Sequence, residues 1–110
     1  SAPLRNPGVA HAFPGHIELP YAVLFGHPAG QIQAAATSCM ANIAEGFERR
    51  SDKEFVQFLY IAMASTAEVK SHLYVALDQG YIDQKHFDGI YEQAQKTAQL
   101  ISAFIKYLRK

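Results

Sequence analysis

Hydrophobic residues recur at steps of three and four along most of the chain. The first such run is Ile32, Ala35, Ala36, Cys39, Ile43 and Phe47. This spacing places the side chains in one stripe of an amphipathic helix. Every proline lies at or before Pro28, so no proline interrupts the residues that follow. The pattern predicts a helix at about 29–47.

Two further runs have the same period. The apolar stripe of the first is Phe55, Phe58, Leu59, Ala62, Thr66, Val69, Leu73 and Leu77. That of the second is Phe87, Ile90, Tyr91, Ala94, Ala98, Ile101, Ile105 and Leu108. Ser51 followed by Glu54 is a capping-box signature that starts a helix at Asp52, and Gly80 and Asp83 suit a stop and a new N-cap. We predict helices at about 52–79 and 84–108, and therefore an all-α fold.

The N-terminal quarter differs from the rest, because it contains all five prolines of the chain. Prolines at this density forbid a long continuous helix. The apolar stretch at 17–26 can form a short helix from Pro20 or an extended segment, and residues 1–15 are expected to be irregular. We predict two parts: a Pro/Gly-rich segment at 1–28 with a remnant first helix, and a helical core at 29–110.

The second predicted helix has a further apolar stripe beside its first one, formed by Val56, Tyr60, Met63, Ala67 and Tyr74. A helix that is apolar over so much of its circumference needs neighbours on two sides. Charged residues make up only 18% of the chain, which is low for a small solvated protein. Packing against other copies accounts for both observations, so this stripe is a candidate oligomer face. Alternatively, residues 17–26 cover it.

Polar residues at the end of the first predicted helix indicate a structural connection to the second. Asn42 and Glu45 share one helix face, and Gly46 suits a C-terminal cap. A buried amide needs a hydrogen-bond partner, so we expect Asn42 to bind Glu45 or the backbone of residues 46–51. Together with Ser51 and Glu54, these residues are predicted to fix the link between two antiparallel helices.

The same link contains the strongest local basic group, Arg49, Arg50 and Lys53. The formal net charge of the chain is zero, so any contact with nucleic acid must come from a local patch. Repeated around an oligomer, these three cations could contact phosphates or a protein partner. Alternatively, they are solvated turn charges balanced by the neighbouring acids.

The sequence contains no catalytic or metal-binding arrangement that we recognise. Cys39 is the only cysteine, and its apolar surroundings suit a small buried residue. Glu68 and His72 lie four residues apart, a spacing that suits a surface ion pair better than a metal site, which needs ligands from other helices. We predict no enzyme activity, no cofactor, no membrane span and a cytoplasmic location.

Three segments resemble a bacterial family of small four-helix-bundle proteins encoded within intervening sequences of ribosomal RNA genes. They are NIAEG at 42–46, RRSDKEF at 49–55 and GYI at 80–82, within a similarity that covers about 29–108. The accessory proteins of diversity-generating retroelements are similar to this family; they bind nucleic acid and a reverse transcriptase through basic surfaces. The resemblance implies an up-down-up-down four-helix bundle, here with a short or broken first helix, assembled into a homopentamer without enzyme activity.

The chain departs from the family pattern in its proline-rich first segment and at Gln33 and Ala34, where the family has basic residues. We expect a non-enzymatic homo-oligomeric protein that acts as an accessory factor of structured RNA or of a ribonucleoprotein. The alternative is a scaffold or protein-interaction module that does not bind nucleic acid.

Overall fold

The computed structural model describes residues 26–110, which form three α-helices and no strand. They are α1 (Pro28–Phe47), α2 (Asp52–Asp78) and α3 (Gln84–Leu108). These bounds agree with the predicted ones to within one residue, and the all-α class is confirmed for this part of the chain. The predicted remnant first helix, and with it the four-helix arrangement, lies outside the described residues.

Each helix begins at a side chain that caps it. His27 caps α1 through its ring nitrogen Nδ1, which the sequence analysis did not foresee. Ser51 Oγ accepts from the Glu54 N–H at 3.2 Å, and the Ser51 hydroxyl also donates to the Glu54 carboxylate. Asp83 Oδ1 accepts from the His86 N–H at 2.8 Å. The predicted N-caps of α2 and α3 are therefore confirmed.

The central helix is α2, which packs against α1 on one side and α3 on another, whereas α1 and α3 hardly touch each other. Both neighbours run antiparallel to it, because Ser38 lies against Ser65 and Tyr60 lies against Arg109. Two clusters of buried residues fill the space between the helices. Nearer the α1–α2 link they are Cys39, Phe55, Val56, Leu59, Ala62, Ile101 and Ile105. Nearer the other end they are Ala35, Val69, Leu73, Phe87 and Ala94.

The second apolar stripe of α2 is covered in part by α3. Val56 is buried in the core, Met63 packs against the same cluster, and the Tyr74 ring contacts Phe87 at 5.1 Å. The prediction that Val56 faces another copy is therefore wrong, since this chain's own third helix supplies the neighbour. Tyr60 and Ala67 remain exposed.

Gly46 lies inside α1 and does not cap it. The helix continues to Phe47, and Glu48 is the C-cap residue. Gly46 is buried where α1 meets α2: a Cβ at this position would lie 2.7 Å from Phe55 Cδ1 and 2.9 Å from Phe58 Cβ. The predicted cap is therefore wrong, and the glycine is required because the two helices approach too closely for any side chain.

We predict that Gly46→Ala lowers the free energy of unfolding by about 1–3 kcal/mol, because the added methyl must displace Phe55 or the α2 backbone. Urea unfolding followed by circular dichroism measures the change. Gly89→Ala is the matched control: it also lies within a helix, but a Cβ there would meet nothing within 4 Å. That control should stabilise the protein by up to about 1 kcal/mol. Equal behaviour of the two variants would contradict the role given to Gly46.

Candidate functional site

A series of hydrogen-bonded hydroxyl and amide groups joins α1 to α2. Asn42 Nδ2 donates to the Ser38 carbonyl at 2.8 Å, and Ser38 Oγ lies 3.0 Å from Ser65 Oγ. Ser65, 2% exposed, also donates to the carbonyl of Ile61. Each of these three side chains therefore has at least one hydrogen-bond partner within the helix pair. Asn42 was expected to bind the link or Glu45; it binds the preceding turn of its own helix instead.

The three cations of the predicted basic group do not act together. The Arg49 guanidinium lies 2.5 Å from a Glu45 carboxylate oxygen and 4.7 Å from the centre of the Phe58 ring. Its charge is thus matched and its position fixed against the helix pair. Neither Arg50 nor Lys53 forms an ion pair among residues 26–110. Arg49 therefore stabilises the α1–α2 link, while Arg50 and Lys53 remain available to a partner.

Lys53 lines an open groove between the start of α2 and the end of α3, which we call the α2–α3 groove. It consists of two adjoining cavities of about 410 and 440 Å³. The first is lined by Asp52, Lys53, Val56, Gln57, Tyr60, Leu108, Arg109 and Lys110. The second is lined by Tyr60, Met63, Ser102, Ile105, Lys106 and Arg109. Tyr60 and Arg109 belong to both cavities.

The α2–α3 groove is strongly positive. Its four cations are Lys53, Lys106, Arg109 and Lys110, and its single acid is Asp52. No ion pair within the described residues involves any of these cations. The Arg109 guanidinium donates to the Tyr60 hydroxyl at 2.9 Å, which fixes one side of the guanidinium in the groove.

No local sequence pattern indicates this groove, because Lys53 is more than fifty residues away from Lys106, Arg109 and Lys110 in the chain. Lys106, Arg109 and Lys110 lie at the C-terminal end of α3, where cations complement the helix dipole without any further role. One signal could have found the site. Lys53 and Tyr60 are seven residues apart and so share a face of α2, and antiparallel packing brings the start of α2 to the end of α3.

An exposed apolar surface lies on residues of α1 and α3 that do not line the groove. We call it the apolar ridge and define it as the exposed side chains Met40, Phe47, Leu100 and Phe104, with the buried Phe55 ring between Phe47 and Phe104. The Phe55 ring contacts Phe47 at 5.5 Å and Phe104 at 5.2 Å, so the ridge crosses all three helices. Met40, Phe47 and Leu100 are each about 70% exposed. These side chains were not among the predicted oligomer contacts.

The remaining chemical candidates are single groups. Cys39 is buried, and burial raises the pKa of its thiol, which disfavours the reactive thiolate. Burial lowers the pKa of His72, against a smaller opposing effect of the Glu68 charge. In residues 26–110, no three histidine, cysteine or acidic side chains are grouped closely enough to hold a metal ion. No helix there has the length and apolar content needed to cross a membrane.

Comparison with known proteins yields one family. The family model described as 23S rRNA-intervening sequence protein matches residues 26–103, which include α1, α2 and most of α3. The match also includes the α1–α2 link and Lys53, Tyr60 and Glu68. No curated protein and no solved structure matches the chain.

The half-buried His72 should make stability depend on pH. Its folded pKa lies below its usual 6.5, so below about pH 6.5 the unfolded chain binds a proton more readily than the folded one, and the free energy of unfolding falls. His72→Gln should reduce this loss between pH 7 and 5, as measured by urea unfolding at each pH. Ser71→Gln, at the exposed neighbouring position that has no titratable group, is the control. Parallel pH profiles for wild type and His72→Gln would contradict the prediction.

Proposed function

The chain belongs to the 23S rRNA-intervening sequence protein family, and we propose that it is a non-enzymatic, homo-oligomeric protein that associates with RNA or with a ribonucleoprotein. The proposed association with RNA rests on the family match over residues 26–103. We further propose that the chain completes an up-down-up-down four-helix bundle with a short or broken first helix, assembles into a homopentamer and acts in the cytoplasm.

The charge distribution supports association with RNA. The formal net charge is zero, so binding to phosphates requires a local excess of cations. The α2–α3 groove has such an excess, with four cations and one acid, and the exposed Arg50 lies in the adjacent link. Around a symmetric ring these charges would be repeated at one end of every bundle. Multivalent contacts of this kind turn weak single sites into useful affinity.

The apolar ridge supports self-association. Phe47 and Leu100 expose 71% and 72% of their surfaces, and the chain has an unusually low share of charge. We assign the ridge to a second copy of the chain.

Light scattering tests the oligomer. We expect wild-type protein to have a mass of about five times the 12.2 kDa of one chain. Phe47→Ser/Leu100→Ser should shift the mass towards one chain, because it removes two large apolar side chains from the contact. Ile61→Ser is the matched control, since Ile61 is also exposed but lies on another face of α2. A wild type that remains a single chain would contradict self-association and the assignment of the ridge to a second copy.

Binding to a structured RNA across a salt series tests the RNA association. We expect the logarithm of the association constant to fall linearly with the logarithm of salt concentration, with a slope of about −0.7 to −0.9 per phosphate contacted. Arg50→Ala/Lys53→Ala should weaken binding. Arg49→Ala is the control and should change it little, because Glu45 and Phe58 already engage that side chain. Fluorescence anisotropy measures each constant.

The second candidate function is a scaffold or protein-interaction module without nucleic-acid contact. The zero net charge and the acids around the link, Glu45, Glu48, Asp52 and Glu54, favour it. The two tests above separate the candidates. An oligomer that binds no RNA even at low salt supports the scaffold, whereas salt-dependent binding that needs Arg50 and Lys53 supports the RNA-associated protein.

A further inference from the structure

Lys53 occupies a position that folding alone does not favour. It lies in the first turn of α2, where the helix dipole has its positive end and a cation is destabilising. The packing of α3 then places Arg109 and Lys110 against the same cavity. The dipole of α3 explains a basic residue at its C-terminal end, but it does not explain a cation at the start of α2. Asp52 and Glu54 in the same turn offset part of this repulsion, and a bound anion in the groove would offset it further.

Arg109 is arranged to meet such an anion. Its hydrogen bond to the Tyr60 hydroxyl uses one of five N–H donors, and no carboxylate among the described residues engages the others. A guanidinium held in this way can give a phosphate two parallel hydrogen bonds. Tyr60 therefore orients the arginine, and its ring, 46% exposed, forms part of the groove wall.

We infer that the α2–α3 groove binds a single-stranded RNA segment, with Lys53, Lys106, Arg109 and Lys110 on its phosphates and Tyr60 against a base. This inference rests on the proposed association with RNA and names the site that carries it. A cationic groove with an aromatic ring in its wall is the arrangement that tracks single strands. The cations line a recess between two helices, which a flexible strand can enter and a rigid double helix would bridge.

The test uses the full chain and a labelled twelve-nucleotide oligouridylate, with fluorescence anisotropy across a salt series. Lys53→Gln/Arg109→Gln should weaken binding on the order of 10-fold near 0.1 M salt and lower the magnitude of the salt slope by about 1.4, for two lost phosphate contacts. The charge-matched control is Lys85→Gln/Lys96→Gln, which lies outside the groove and should keep the wild-type slope.

Three further variants keep the test independent of folding effects. Lys53→Gln/Lys106→Gln leaves the Tyr60–Arg109 hydrogen bond in place and should give the same loss of slope. Tyr60→Leu should weaken binding roughly 5-fold or more through the lost ring, whereas Tyr60→Phe keeps the ring, removes only the hydrogen bond that orients Arg109, and should give a smaller loss. Circular dichroism should give wild-type helix content for each variant.

The outcomes distinguish this site from the function on which it rests. If the groove variants and the control variant weaken RNA binding equally, the assignment of the binding site to the groove is wrong, but the association with RNA is not contradicted. No binding of any RNA at low salt would overturn both. Tighter binding of a double-helical hairpin, or displacement of the oligouridylate by polyglutamate at matched charge, would overturn the assignment to single-stranded RNA.

Discussion

The close approach of α1 and α2 at Gly46 is the contact on which the rest of the structure depends. Because Gly46 has no side chain, the Phe55 ring and the Phe58 Cβ can lie directly against the α1 backbone. The small residues that precede it on the same stripe, Cys39 and Ala35, continue this close packing along the helix pair. The hydroxyl contact between α1 and α2 then helps to fix their relative position, since the buried Ser65 hydroxyl has few alternative partners.

The tight α1–α2 pair determines what the third helix must cover. With one side of α2 occupied by α1, the second apolar stripe of α2 receives α3, and the tyrosines and phenylalanines of the two helices interlock. Antiparallel packing places the basic end of α3 beside the start of α2. Lys53 and the basic residues at the end of α3 are thereby brought into one groove. The hydrogen bond from Arg109 to Tyr60 ties the end of α3 to α2 there.

The result is a molecule with two chemically distinct surfaces near one end of the bundle. One is the apolar ridge, connected by ring contacts from Phe47 through Phe55 to Phe104. The other is the cationic α2–α3 groove. They face different directions because α1 and α3 pack on two sides of α2 and leave both intervening sides open. In an assembly of copies joined through the ridge, the grooves would remain accessible, which makes self-association and RNA binding compatible.

The sequence by itself determined the helices, because helix formation depends on residues three and four apart and on caps such as Ser51 and Asp83. It also indicated that α2 needs two neighbours. It could not say which neighbour covers Val56, since an apolar stripe is complementary to any other apolar surface. Tertiary structure alone decided that α3 does so, that Gly46 serves packing, and that Lys53 joins Arg109. These are contacts between residues distant in the chain, and no local pattern encodes them.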